Sequence, residues 1–383
     1  MLFIGTGGLD HINSWCKQWK LTVNCQKDKT EALILQPLKG PRIDSTSIPK
    51  LKINGQELQY VEKSKVLGLI LDDEVRFVKH SNLQLKRCWH AWYNISKSTT
   101  PTRGLNHSSL TALFKSVVLT KLLYASPVWL EDNLKMFNDF WSRVILKISG
   151  AHYQPRRIIA ECALGIPPLE LILESVILKF CLKCYRDPTL YSLVLQLDEE
   201  RNHGYHHHVS KLKSFLRWKE DSNRKVNLLS AYNSTIYYTK ELIDDYLDFR
   251  WTNHIKLSLP ESDILDDIEA GVLRINRDVC KKLFPRFSRR MDDSNILNIL
   301  HGSSERFNSF ATAVGSASRS NCPVCRVKED SHHVLFECTK FNCRNRDIIP
   351  RSEDHKLFAL KIVMAQDTYH IPAFKDMAKK IML

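Results

Sequence analysis

The sequence predicts a predominantly helical α+β protein, and three observations carry that reading. Short β-prone stretches are confined to residues 1–75, three- and four-residue apolar spacing dominates from Arg76 to about Tyr185, and a compact cysteine and histidine cluster follows residue 321. A length of 383 residues suits two or three domains. With 43% apolar and 26% charged residues, wholesale disorder is excluded.

In the first segment, Leu9, Ile12, Trp15, Cys16 and Trp19 recur at helical spacing. Thr30 to Leu35 reads as a strand. Beyond a Pro/Gly/Ser-rich loop from Gln36 to Pro49, Leu51 to Ile53 and Val61 to Leu71 read as two strands of one hairpin, with Asn54-Gly55 as the turn. Leu83, Leu85, Trp89, Trp92 and Ile95 then mark a helix. Leu110 to Trp129 predicts a second, strongly apolar helix, and Phe137 to Ile148 a third. Pro167-Pro168 open a fourth that runs to Cys184, proline being tolerated in a first turn. Residues 186–300 are polar and read as helices with loops, and a basic helix is expected to close the chain.

Lys and Arg outnumber Asp and Glu by 56 to 42, a net charge of +14. The surplus is uneven: residues 1–150 hold 21 basic and 12 acidic side chains. Such a balance favours a polyanionic partner. Its densest patch contains Arg274, Arg277, Lys281, Lys282, Arg286, Arg289 and Arg290 with only Asp278 as acid. No apolar run approaches the roughly 18–20 residues that span a bilayer, so no membrane partner is expected. Eleven cysteines at irregular spacing, without a secretory leader, imply a reducing intracellular compartment, nucleus or cytoplasm. The apolar opening Met1-Leu-Phe-Ile4 reads as the middle of a strand, which implies truncation.

The sharpest local pattern is Cys322-Pro-Val-Cys325, followed by His333 and Cys338. Thiolates and imidazole at this spacing can close a tetrahedral site around Zn²⁺. Four protein ligands leave no open position, so the metal would be structural. His332 and Cys343 are alternative ligands. By contrast, Cys181-x-x-Cys184 lies within an apolar helix and reads as core, and His203-Gly-Tyr-His206-His207-His208 as a solvated loop. Trp89, Trp92, Trp129 and Trp141 read as core rather than as stacking platforms. Glu241, Asp244, Asp245 and Asp248 read as a solvated helix face, and Asp72, Asp73 and Glu74 as a charged turn.

Several motifs together resemble the reverse transcriptases of non-LTR, LINE-type, jockey-like retrotransposons. They are Trp15, Trp19, Asn24 and Lys29-Thr30; Val66-Leu67-Gly68 through Asp72; Leu122-Leu-Tyr124 through Trp129; Leu164-Gly165-Ile-Pro167-Pro168; and Ile299-Leu-His301-Gly302 through the cysteine cluster. The resemblance implies a small palm-like α/β remnant with a primer-grip hairpin over 1–75, a helical thumb over 76–150 and a helical linker over 151–300. A CCHC zinc knuckle over 301–350 and a C-terminal helix over 351–383 would complete it. The parent reaction, RNA-templated DNA synthesis, requires aspartates that hold Mg²⁺. Those aspartates, the fingers and the first catalytic strand have no counterpart in this sequence, so the chain by itself is not expected to polymerise. Binding of RNA, DNA or their hybrid is expected to remain. The residues implied are Lys29 and Gly68 in the palm remnant, Arg143, Lys147, Arg156 and Arg157 around the thumb, and Lys281, Lys282, Arg286, Arg289 and Arg290 in the basic segment. The alternative is a domesticated zinc-containing nucleic-acid-binding protein with no polymerase role. The oligomeric state is not legible in the sequence.

Overall fold

A computed structural model describes residues 6–26, 29–36, 41–151, 156–185, 187–190, 192–193, 205–221, 236–258, 264–304, 306–341, 346–352 and 354–382. The architecture is α+β and predominantly helical, with two compact units, Met1–Lys86 and Arg87–Leu383.

Among the described residues, the first unit has helix α1, Thr6–Gln18, followed by six short strands. Strand β1 (Glu31–Leu33) pairs in parallel with β4 (Gln59–Val61); β2 (Lys52–Ile53) pairs with β3 (Gln56–Glu57), and β5 (Lys63–Val66) with β6 (Leu69–Asp72), both antiparallel. The sequence reading paired Leu51–Ile53 with Val61–Leu71 across Asn54-Gly55, and the structure corrects it. Asn54 and Gly55 take φ of 53° and 75°, a two-residue turn that forces the residues immediately beside it to pair. Leu67 (φ 48°) and Gly68 (φ 88°) turn the later hairpin in the same way. A small core of Ala32, Ile53 and Leu58 is flanked by Leu9, Val23, Cys25, Leu51 and Tyr60. The apolar stripe of α1 is only partly covered: Trp15 stays exposed, as does Trp19 in the turn after the helix, with ring centroids 6.2 Å apart. Asp72 is buried and its Oδ1 accepts from the Arg76 backbone N–H at 2.8 Å, while Asp73 and Glu74 pair with Arg42.

Helix α2 (Val78–Ser96) contains the unit boundary. The apolar stretch predicted as one helix is interrupted. Helix α3 (His107–Leu113) continues through a π-helical segment, Phe114–Leu119, to Thr120–Leu122, and α4 (Ser126–Trp129) begins after Ala125 at φ 50°. Pro127 causes the break, because it has no N–H for the next helical bond and is tolerated only in the first turn of a new helix. Helices α5 (Asn138–Ser149), α6 (Arg157–Leu164) and α7 (Leu169–Tyr185) follow, then α8 (Tyr205–Asp221) and α9 (Ile236–Leu257). After α10 (Ile264–Glu269) come α11 (Arg277–Leu283), α12 (Arg290–His301) and α13 (Asn308–Ala313). Helices α14 (His355–Met364) and α15 (His370–Met382) close the described chain.

Helix α6 is the hub of the second unit. It touches α5, α11, α12 and α14, and every residue from Ile159 to Leu164 is buried. Its one buried carboxylate, Glu161, accepts from Trp141 Nε1 at 3.0 Å and Arg157 Nε at 2.7 Å. Trp92, Trp129 and Trp141 are core, as are Cys181 and Cys184. Trp89 is half-buried, edge-on to Phe140. The histidine run is corrected in part: His208 is buried on α8, its Nε2 donating to the Pro127 carbonyl at 2.8 Å, while His203 lies outside the described residues.

Arg290, read in the sequence as a phosphate contact, is instead buried. Its Nη1 donates to Ile148 O and its Nη2 to Lys147 O, both at 2.6 Å, and its Nε to Thr100 O at 3.2 Å. The last carbonyls of α5 have no partners within their own helix, and a buried guanidinium fork is the donor that matches them. Beside it, buried Asp293 lies 3.1 Å from His107 Nδ1, His107 Nε2 donates to Ser149 O at 2.9 Å, and the imidazole stacks on Phe284.

Replacing Arg290 with Ala leaves these buried carbonyls without their donor and takes the neighbouring cation from Asp293. Chemical denaturation should register a loss of about 3–5 kcal/mol, and Arg290→Lys should recover little because one ammonium cannot match a planar fork. A second prediction concerns acid. His301 is buried with neither ring nitrogen hydrogen-bonded, and burial pushes its pKa down to about 3; burial also pushes His355 down to about 4. Both lie below the ordinary 6.5, so the unfolded chain binds the extra protons. Stability should be complete above that value and fall as pH drops through it, by up to about 1.4 kcal/mol per pH unit for each histidine. Denaturation midpoints across that range should show the slope, and His301→Leu should flatten it.

Candidate metal centre and nucleic-acid surface

The turn that carries the first two cysteines is built by its backbone. Cys322 N donates to Val327 O at 2.8 Å and Arg326 N to Cys322 O at 2.9 Å, while Arg326 takes φ of 63° to close the loop. Cys325 N lies 3.5 Å from Cys322 Sγ, so the loop also aims an N–H at a ligand sulfur. Ser309 N donates to Glu329 O, fastening this turn to α13. The second pair comes from a single π-helical turn, His333–Glu337, whose end places Cys338 beneath it through Cys338 N to His333 O at 2.7 Å.

Cys322, Cys325, His333 and Cys338 converge, with all four ligand atoms within 4.8 Å of one another. Cys338 Sγ stands 3.7 Å from Cys322 Sγ and 3.9 Å from Cys325 Sγ. His333 Nδ1 lies 3.3 Å from Glu337 Oε2, whereas Nε2 is buried without a hydrogen-bond partner. A carboxylate on one ring nitrogen and a vacant lone pair on the other is the arrangement of a metal-ligating histidine. Hydrogen bonds from Thr339 hold the Cys325 thiol down to about 7, while burial holds Cys338 up to about 11. Three sulfurs and one imidazole nitrogen this close fit a tetrahedral metal ion, which would replace their protons. His332 instead turns toward Glu337 Oε1, and Cys343 lies outside the described residues.

The cations expected to meet phosphate fall into different environments. In the first unit Lys29 is exposed on a turn, and Gly68 sits at the exposed tip of the β5–β6 hairpin. In the second unit Arg143 is exposed, paired with Asp139 at 3.2 Å and lying over the Trp89 ring. Lys147 is half-buried, and burial lowers its pKa. Arg156 is exposed 3.7 Å from Asp354, whereas Arg157 is turned to Glu161. Lys281, Lys282, Arg286 and Arg289 are all exposed along α11 and the loop after it. Their ties are to the surface: Lys281 to Asp278, Lys282 to the Thr368 hydroxyl, Arg289 to Asp292. Arg277 is held by Asp248 at 2.8 Å and Arg274 by Gln366, so neither guanidinium stands alone. Asp244 and Asp248 therefore serve an ion pair rather than a purely solvated face.

Two features were missed in the sequence. Glu337 supports His333, and its signal is the four-residue interval on one helical turn. Lys375 from α15 donates to the Lys282 carbonyl at 3.2 Å and extends the basic face. Its sequence signal was only the four-residue spacing to Lys379.

Neither a family model nor a solved structure matches the chain. It is 26% identical over 184 residues to the RNA-directed DNA polymerase from mobile element jockey of Drosophila funebris, covering 45% of this chain and 18% of that relative. The jockey enzyme of Drosophila melanogaster is 22% identical over 180 residues, with the same coverage. The probable RNA-directed DNA polymerase from transposon BS of that species is 25% identical over 156 residues, 39% of this chain and 16% of the relative. The chain thus spans less than a fifth of the length of the curated relatives it matches. Close to half of this chain is therefore related to the reverse transcriptases of non-LTR retrotransposons.

Proposed function

We propose that the chain is a nucleic-acid-binding portion of a non-LTR retrotransposon reverse transcriptase. In this reading residues 1–75 are a palm remnant, 76–150 a thumb, 151–300 a linker and 301–350 a zinc knuckle. One observation supports it above the rest. The exposed cations Lys281, Lys282, Arg286 and Arg289 belong to the same compact unit as the Cys₃His group, in a chain related to RNA-directed DNA polymerases. Zn²⁺ would be structural, held by Cys322, Cys325, His333 and Cys338. RNA, DNA or their hybrid would be gripped through the phosphate backbone, with Arg143, Lys147, Arg156 and Arg157 on the thumb side.

Polymerisation is not proposed for this chain alone. Two Mg²⁺ ions need carboxylates free to ligate, and the acidic group at the end of β6 is engaged in its own turn, Asp72 on a backbone N–H and Asp73 on Arg42.

Protein purified without chelator should carry about one Zn²⁺, lost on Cys322→Ser or Cys325→Ser with local unfolding around 315–345, because the metal supplies that module's folding energy. Metal-free protein would exclude the knuckle. Binding should show little sequence preference and fall on the order of 10³-fold from low to physiological salt, as about six phosphate contacts release their counterions. Replacing Lys281, Lys282, Arg286 and Arg289 with Ala should weaken all sequences alike and flatten the salt slope by about three to four units while zinc content holds. Unchanged binding would make these residues an ordinary solvated face.

A further inference from the structure

The loop between α11 and α12 presents an aromatic ring to solvent. Phe287 is 91% exposed, the highest value for a large apolar side chain among the described residues. Leaving a phenyl group in water forgoes the burial that places most of them inside.

The ring is not on a loose strap. Ser288 N donates to Pro285 O at 3.0 Å, which places Phe287 at the corner of a β-turn. Asn106 Nδ2 reaches the carbonyls on both sides of it, Arg286 O at 2.8 Å and Ser288 O at 3.1 Å. The Ser288 hydroxyl lies 2.7 Å from Oδ2 of buried Asp293. The turn is thus fixed to the buried polar junction around Arg290, and its ordering is complete before any ligand arrives.

Cations outnumber acids along this stretch, where Asp278 and Asp292 are tied to Lys281 and Arg289. The Arg286 guanidinium lies 5.8 Å from the ring centroid, Arg289 is exposed two residues on, and Lys281 and Lys282 are exposed on the preceding helix. A docking patch for an apolar partner would continue into neighbouring apolar surface. Along the chain the ring is flanked by Arg286 and Ser288, and exposed apolar groups in the same stretch are confined to Pro285 and the partly exposed Met291. A lone flat ring flanked by cations matches an unstacked base between two phosphates.

We propose that Phe287 is a base-stacking platform for single-stranded nucleic acid, with Arg286 and Arg289 on the flanking phosphates. The inference rests on the nucleic-acid-binding reading above and adds a preference for unpaired strands. The ring has no hydrogen-bonding group, so it reads no sequence, and RNA and DNA strands share the chemistry.

The test uses the full chain with oligouridine, oligothymidine and a matched duplex. Phe287→Ala should reduce affinity for both single strands by about five- to a hundredfold, leave duplex affinity unchanged and keep the salt slope. Phe287→Trp should restore strand affinity, and its emission should be quenched by either strand. At an exposed site neither variant disturbs the core, and an unchanged denaturation midpoint would verify this. Parent and Phe287→Ala binding strands equally would overturn this inference alone. So would an equal loss on strand and duplex, or a change in self-association in place of strand affinity. If the parent chain binds no nucleic acid, both this inference and the reading beneath it fail.

Discussion

A single buried guanidinium organises the second unit. Arg290 satisfies the carbonyls at the end of α5 and reaches Thr100, so one side chain joins three stretches far apart in sequence. Burial is severe enough to pull its pKa down to about 10, and the compensating charge is Asp293. That carboxylate in turn faces His107 and Ser288. Close packing follows from the same point. Gly150 ends α5 at φ 63°, and a Cβ there would lie 2.2 Å from Ser294 Oγ, so the approach of α12 requires glycine both for conformation and for space. Removing Arg290 leaves the carbonyls of Lys147 and Ile148 without that donor, which is the expensive half of hydrogen bonding.

This junction divides the cations of the basic segment by role. Arg290 turns inward and holds helices together, Arg277 pairs with α9, and the remaining Lys281, Lys282, Arg286 and Arg289 stay outside. A run of like charge is thus part scaffold and part surface. The scaffold members determine how the surface members are presented, because the turn carrying Arg286 and Phe287 is tied to the same network through Asn106 and Ser288. Structural stability and the presentation of these surface side chains are coupled here by shared hydrogen bonds.

The Cys₃His group follows a different logic. Its parts lie within seventeen consecutive residues, its turn is closed by local backbone bonds, and its ligands converge without help from distant charges. Around it, Arg346 donates to the carbonyls of Phe336, Cys338 and Phe341, and Phe336 packs edge-on against Phe358 of α14. The module is therefore locally specified and then fastened to the helical body.

That contrast explains what could be read in the sequence. The helical class, the core tryptophans and the cysteine cluster were legible because periodicity and ligand spacing are local properties of the chain. The Asn54-Gly55 pair marks a turn but leaves its partner strand open. The turn signal names its position, and only its two positive φ angles decide that Gln56 rather than Val61 lies opposite Ile53. Pro127 was read within a single helix, although its missing N–H compels a break. The fate of each charge was not legible at all. Arg289 and Arg290 are adjacent and chemically identical, yet one faces water and the other is buried, because only the assembled fold places the end of α5 within reach of Arg290. The sequence by itself determined the helical class and which residues could ligate a metal; tertiary structure decided which cations face solvent, since that depends on unpaired carbonyls more than a hundred residues away.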